Sequence, residues 1–222
     1  MPNDIENNSS YFLNQRNEIL AVVPQNTKKM LDVGCGEGFF ANSVKNKCNA
    51  EVWGIEIVEE IAQKAEKKLD KLLIGGIEDV IDLIPNDYFD CITFNDVLEH
   101  LLHPASILAK MKKKLTTNGV IICSIPNVRS ILNIYNLVIR KDWKYTNEGT
   151  LDKTHIRFFT LKSANRMFDE QNFEIIKIIG INNILKSGTI KIWFTLLNIF
   201  TLGLFSDSKY LQYLWVLKKR EN

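Results

Sequence analysis

Residues 31–40, LDVGCGEGFF, constrain this chain more than any other stretch. The apolar run Leu31-Asp32-Val33 leads into Gly34, Cys35, Gly36, Glu37 and Gly38, and Phe39 and Phe40 begin a helical pattern. Glycine permits positive φ and removes the Cβ that would hold a ligand off the backbone. A strand that turns through such a loop into a helix also aims the free N–H groups of the helix start at whatever fills the loop. The spacing is G-x-G-x-G, whereas dinucleotide sites use G-x-G-x-x-G, so NAD is disfavoured and a ligand without a pyrophosphate is favoured. Glu56 closes the apolar run 51–57, at the spacing from the loop where an acid can accept hydrogen bonds from ribose hydroxyls.

Around this loop, short apolar runs alternate with helical patterns, which argues for βαβ units and a mostly parallel sheet. Strands are predicted over residues 28–33, 51–57, 71–75, 89–94, 120–125, 173–181 and 210–218. Helices are predicted over 11–23, 37–46, a stretch ending near 68, 104–115 and 161–171. Thr117, Asn118 and Gly119 read as a turn. Residues 127–160 carry no clear strand and break the rhythm; a long irregular insertion in a compact domain is usually functional. At 222 residues the expectation is one domain, 1–222.

Charge gives no argument for nucleic acid: 28 Lys and Arg against 26 Asp and Glu leave a net charge of +2. Cys35, Cys48, Cys91 and Cys123 form no C-x-x-C pair, and scattered thiols in apolar runs suit a reducing compartment. Residues 1–10 are polar and read as no signal peptide, so a cytoplasmic location is expected. One stretch stands apart. Residues 190–205, IKIWFTLLNIFTLGLF, hold a single charge, Lys191. They are too short for a membrane span and read as a helical insertion, 186–208, before the last strand. A buried or lid helix is the ordinary reading, and a peripheral contact with a membrane carrying a lipid-linked substrate is the other.

The chain resembles class I S-adenosylmethionine-dependent methyltransferases. LDVGCGEGFF resembles their first motif, GIEI their ribose-binding acid motif, and FDCITFNDVLEHL their fourth-strand motif. LTTNGVIICSIP resembles the segment that follows. The resemblance implies a Rossmann-like α/β fold: a mostly parallel seven-stranded sheet, helices on both faces, the last strand antiparallel. It implies S-adenosyl-L-methionine as cofactor, in a pocket formed by Asp32, Gly34, Cys35, Gly36, Gly38, Glu56, Ile57, Gly76, Ile77 and Asn95. Such enzymes often carry an Asp after the third strand. Gly76 stands there instead, leaving the backbone at Ile77 as the adenine contact, with Glu78 and Asp79 as helix-cap candidates. DKTHIRFFT, residues 152–160, together with DVLEHL and SIPNV, is similar to a bacterial subgroup associated with glycan or surface-polysaccharide synthesis.

Methyl transfer to a hydroxyl needs in-line alignment and a route for the proton, through a base or a metal. Asp96, Glu99 and His100 follow the fourth strand, at the carboxyl edge where α/β sheets bind ligands. His155 comes from the insertion. His100 and His155 are the candidate bases, and Asp96, Glu99, His100 and His155 a candidate divalent-cation set. The spacing is similar to the acid-x-x-Glu-His pattern of metal-dependent RNA 2′-O-methyltransferases and ubiquinone-pathway O-methyltransferases, with Asp96 as a shorter first acid. Alternatively, Glu99 and His100 orient the next helix and His155 anchors its loop. Arg157 is a candidate for an acidic substrate group, and Trp143 and Tyr145 for stacking on an acceptor, or for packing. The expected acceptor is a small molecule or saccharide, methylated at oxygen. An N-methyltransferase on an amino sugar and a non-catalytic cofactor-binding protein are the alternatives.

Overall fold

In the computed structural model, which describes residues 16–185 and 188–220, the chain forms a seven-stranded sheet of order β3-β2-β1-β4-β5-β7-β6. The strands are β1 Lys29–Val33, β2 Glu51–Glu56, β3 Lys71–Ile74, β4 Phe89–Asn95, β5 Leu115–Pro126, β6 Phe173–Asn183 and β7 Tyr210–Lys219. β1 to β5 pair in parallel; β7 lies antiparallel to both β5 and β6. The seven strands and the antiparallel last one are those expected from sequence.

The helices are α1 Asn17–Leu20, α2 Phe39–Cys48, α3 Glu59–Ala65, α4 Ile77–Val80, α5 Pro104–Lys112, α6 Ile131–Val138, α7 Leu161–Glu170 and α8 Gly188–Phe200. The parallel strands read as near-continuous apolar runs because both faces are covered. Met30, Val52, Cys91 and Ile122 pack with Phe40, Ala41 and Val44 of α2 on one face. Leu31, Ile55, Ile92 and Phe94 pack with Leu108 and Met111 of α5 and Phe168 of α7 on the other.

Differences from the sequence reading are local. The helix expected from residue 37 starts at Phe39, because Gly38 is its N-cap at φ 78°, a left-handed conformation. The expected turn at Thr117–Gly119 lies inside β5, where the register with β4 slips between Phe89 and Cys91. A Cβ on Gly119 would sit 2.9 Å from the Phe89 carbonyl, so the close approach needs glycine. Residues 127–160 contain a helix the sequence reading did not give: α6 is capped by Ser130, whose hydroxyl accepts from the Asn133 N–H. Of the helix expected over 11–23, residues 11–15 lie outside the described residues, as do 186–187 of the apolar insertion and residues 1–10.

Candidate active site

The carboxyl ends of β1, β2 and β4 meet above the sheet. There the glycine loop, Glu56, Asn95 and residues 127–155 enclose one cavity of about 1350 Å³. Gly34, Gly36 and Gly38 all have positive φ, at 72°, 54° and 78°. A Cβ on Gly34 would lie 2.6 Å from Val97 Cγ2, so that position needs glycine twice over. The Gly34 and Cys35 N–H groups donate to the Ile55 carbonyl at 2.8 and 2.9 Å, locking the loop to β2. Cys35 lends backbone and shape. Its thiol packs where a Cβ on Gly54 would come within 2.6 Å, and burial pushes its pKa far up.

Glu56, buried at the end of β2, accepts from the Gly36 N–H at 2.9 Å and the Val58 N–H at 3.0 Å. Each carboxylate oxygen keeps a second lone pair, so Glu56 both fixes the loop and can receive hydroxyls from the cavity. Asp32 is 1% exposed. Thr93 Oγ1 donates to its carboxylate at 2.6 Å and Asn95 Nδ2 at 3.4 Å. Burial raises the Asp32 pKa to about 7 against the lowering pull of the Thr93 hydroxyl and the Arg16 charge. Asn95 Oδ1 is buried without a hydrogen-bond partner among the described residues. Ile57, 70% exposed, lines the cavity with Gly76. The Ile77 side chain is buried in the core, at the edge of the same cavity. Gly76 is itself the N-cap of α4, with no side-chain cap bond, so Glu78 and Asp79 are first-turn acids and not caps. A nucleoside-sized ligand fits this wall: a glycine cradle, an apolar edge at Ile57, and the orphaned amide oxygen of Asn95.

The opposite wall brings together Glu99, His100 and His155. Glu99 sits in the 3₁₀ turn Leu98–His100. It is 1% exposed, and neither carboxylate oxygen accepts a hydrogen bond among the described residues. Burial, then the Asp96 carboxylate, pushes its pKa well above the usual carboxylate range. His155 Nε2 is 3.8 Å from Glu99 Oε1, and the two imidazoles meet edge to face with centroids 4.7 Å apart. His100 Nδ1 lies 3.2 Å from the Thr154 carbonyl and His155 Nδ1 3.1 Å from the Thr150 carbonyl. A carbonyl only accepts, so in the neutral form each ring carries its proton on Nδ1 and leaves Nε2 free to accept. Burial holds His100 below the ordinary histidine pKa, with the His155 imidazole acting in the same direction.

One atom from each of these three side chains falls within 4.8 Å of the others. Asp96, expected as the fourth ligand, stands outside the group. Its backbone is left-handed, φ 55°. Its carboxylate pairs with Arg16 and accepts from Ser124 Oγ at 2.9 Å and Gln212 Nε2 at 3.1 Å. His103 is the N-cap residue of α5. Arg157 Nη2 donates to the Leu102 carbonyl at 2.7 Å. Trp143 and Tyr145 pack on Phe158 and do not line the cavity; Asp142, Lys144 and Thr146 do. Sequence reasoning missed Ser124 and Gln212. Ser124 lies within LTTNGVIICSIP and Gln212 in no motif, and only the strand order β4-β5-β7 brings the two to Asp96.

A family model described as "Methyltransferase domain" matches residues 8–178. A ubiquinone biosynthesis O-methyltransferase of Photobacterium profundum is 30% identical over 163 residues, 70% of this chain and 67% of that protein. A mitochondrial ubiquinone biosynthesis O-methyltransferase of Schizosaccharomyces pombe is 26% identical over 69% of this chain and 58% of its own length. The chain thus spans about half to two thirds of the curated relatives it matches. A structure of a SAM-dependent methyltransferase from Archaeoglobus fulgidus superposes with a TM-score of 0.72 at 18% identity, covering 96% of this chain and 98% of that one. The chain belongs to the methyltransferase domain family and is a methyltransferase whose methyl donor is S-adenosylmethionine.

Proposed function

We propose that the protein methylates an oxygen of a small-molecule acceptor held between the glycine-loop wall and residues 127–160. The observation that carries this reading is the pair of imidazole Nε2 atoms, free to accept in the neutral form, beside the buried Glu99 carboxylate, in the same cavity as the glycine cradle. An amine acceptor needs little beyond its neutral form, whereas a hydroxyl must lose its proton as the bond to carbon forms. The relatives named as O-methyltransferases point the same way. Their names favour a small-molecule hydroxyl over the saccharide that the DKTHIRFFT resemblance suggested.

In this reading Asp32, Glu56 and Asn95 hold the donor side, and the cavity walls exclude water and align the acceptor oxygen. Bound S-adenosylmethionine supplies a methyl group on a positively charged sulfur. As the oxygen–carbon bond forms and the carbon–sulfur bond breaks, the acceptor proton passes to His155 Nε2 or His100 Nε2. The backbone carbonyls of Thr150 and Thr154 keep those rings oriented and in the accepting tautomer.

Glu99, His100 and His155 also fit a divalent cation. One carboxylate that accepts no hydrogen bond among the described residues and two neutral imidazoles are a donor set suited to Mn²⁺, Fe²⁺ or Zn²⁺ more than to Ca²⁺. A cation held there would lower the acceptor pKa. The Nδ1–carbonyl contacts are the outer-shell bonds that fix ligating imidazoles. The finer possibilities, a lipid-linked or glycan acceptor and a membrane contact through residues 190–205, extend this proposal.

The test is S-adenosylhomocysteine formation with hydroxylated small molecules and with amino sugars, before and after chelation and Mn²⁺ return. Turnover on a hydroxylated compound, lost with chelator and restored by Mn²⁺, supports the cation reading. Turnover indifferent to chelator leaves the base reading. Turnover on amino sugars alone overturns oxygen as the acceptor atom.

A further inference from the structure

The antiparallel pair β6 and β7 closes at Asn183 opposite Tyr210, where a tight turn would suffice. Instead, residues 184–209 leave the sheet, and α8 carries most of the excursion. The sheet register does not require this insertion. Its apolar side chains face outward: Trp193 is 73% exposed, Phe200 82% and Leu202 96%, with Ile192, Ile199 and Leu204 alongside. Phe194 is the large side chain of α8 that turns inward and is buried. An uncovered apolar patch of this kind marks an interaction surface.

We propose that α8 and the turn after it form an interfacial anchor lying in the plane of an anionic lipid surface. Charge selects this occupant. The excursion from Ile184 to Ser206 contains no Asp or Glu, and its lysines are Lys186 and Lys191. Lys191 is the one charge within α8, and a second copy docked by a two-fold contact would bring no carboxylate of α8 to meet it. A bilayer containing anionic lipid supplies the apolar phase and the counter-charge together. Thirteen residues of helix reach about 20 Å. That is short of the roughly 30 Å hydrocarbon core, so the element lies on the membrane and does not cross it. Among the described residues no helix is long and apolar enough to cross. A tryptophan at the water–lipid boundary suits its amphipathic ring.

The anchor is coupled to the cavity. Asp207, just after the apolar turn, pairs with Arg129 at 2.9 Å, and the Ile131 N–H at the start of α6 donates to the Ser208 carbonyl at 2.8 Å. α6 lines the cavity through Leu132, Asn133 and Asn136. Docking through α8 therefore holds the cavity wall at the lipid surface, where an acceptor with an apolar tail would be found.

The experiment is vesicle flotation of the full chain, with phosphatidylcholine alone and with phosphatidylcholine containing phosphatidylglycerol. The wild type is expected to float with the anionic vesicles and to detach as salt is raised. Trp193→Asp and Leu202→Asp, both at exposed positions, are each expected to cut the bound fraction at least tenfold, and Lys191→Glu by less. Melting temperature and S-adenosylhomocysteine affinity stay unchanged in all three. Failure of the wild type to float overturns the proposal, as does flotation unaffected by both aspartates. A dimer in sedimentation that the same aspartates dissolve assigns the face to a second copy instead. Equal flotation on neutral vesicles overturns the anionic commitment. No methyl transfer is read, so failure here leaves the proposed reaction standing.

Discussion

The glycine-loop wall of the cavity and the wall facing it differ in what fixes their side chains. On the donor side nearly every polar group is already held. Glu56 takes two backbone N–H groups, Asp32 takes Thr93 and Asn95, and the loop amides take the Ile55 carbonyl. On the acceptor side the buried Glu99 accepts no hydrogen bond among the described residues, and two imidazoles hold Nδ1 against backbone carbonyls, leaving Nε2 free to accept in the neutral form. A wall with its hydrogen bonds nearly complete is shaped before any ligand arrives and serves binding. A wall with a buried unsatisfied carboxyl group stores an unfavourable desolvation that a proton, a cation or a substrate relieves, and that suits chemistry. The two walls should therefore fail differently when mutated.

His155→Ala is the change with the largest expected effect. Loss of the base or ligand should lower kcat by about 10²- to 10⁴-fold. S-adenosylhomocysteine affinity by calorimetry should stay within about twofold, because His155 lies on the wall that does not hold the donor. A matching fall in both would erase the division between the walls. Full activity would remove His155 from the chemistry altogether.

Gly36→Val should do the reverse. The residue sits at φ 54° and its N–H is held by Glu56. A β-branched side chain in a left-handed conformation costs upward of 1–2 kcal/mol, and the displaced backbone costs more. Cofactor affinity should fall by about 100-fold or beyond, read by calorimetry or by loss of the ligand-induced rise in melting temperature. Glu56→Ala should follow in the same direction. If both variants keep the shift, the ligand occupies some other part of the cavity.

How legible each wall was in sequence follows the same division. Gly34, Gly36 and Gly38 are where they are because the backbone there has positive φ, and that requirement leaves its mark in consecutive letters. Glu56 is readable for a related reason: one strand end, one spacing. Glu99, His100 and His155 were legible as residue types, but their convergence depends on residues 150–155 folding back over the end of β4. Backbone bonds from Ile156 and Arg157 to the Glu99 carbonyl, at 3.1 and 3.0 Å, make that closure. No spacing encodes it. Asp96 shows the limit most clearly. Its position beside Glu99 and His100 suggested a ligand, yet three partners, Arg16, Ser124 and Gln212, take it elsewhere. Two of these partners lie on β5 and β7. The exposure of α8 was not legible either, since an apolar run reads alike whether a core covers it or not.

Both walls carry shifted groups, and on the donor wall the pH signature belongs to Asp32, raised in the same direction as Glu99 on the acceptor wall. Asp32 has a folded pKa of about 7 against 3.8 for an ordinary Asp. Between those values the folded state holds a proton that the unfolded state has released. Asp32 thus contributes stability that is fully present below about pH 4 and is lost as pH rises through 7. The ligand-free protein should melt about 5–10 °C lower at pH 8 than at pH 5. Asp32→Asn, which stays neutral, should flatten that slope. A slope unchanged in the variant would trace the pH dependence to other groups and leave Asp32 ionised throughout.

Trp143→Ala has the smallest expected effect and tests how far the acceptor wall extends. Trp143 and Tyr145 are the aromatic residues of the insertion that a sugar or ring acceptor would stack upon. Along this loop, however, the cavity is lined by Asp142, Lys144 and Thr146. Trp143 packs edge to face on Phe158, centroids 5.5 Å apart, and Tyr145 lies on the same ring at 6.3 Å. Phe158 adjoins Phe159, which is buried in the core and joined by a bridge to Asn127. The aromatic cluster therefore clamps the middle of the insertion to its C-terminal end and leaves acceptor contacts to its polar neighbours. An exposed-side aromatic pair is worth roughly 1 kcal/mol, so Trp143→Ala should lower the melting temperature by about 3 °C. Acceptor KM should stay within about twofold, while Lys144→Ala, at a cavity position, should move it more. If Trp143→Ala raises KM tenfold with the melting temperature unchanged, the ring reaches the acceptor and the clamp is not its role. A rise in KM that tracks the loss of stability would instead mean that the loop must stay closed for the acceptor to bind.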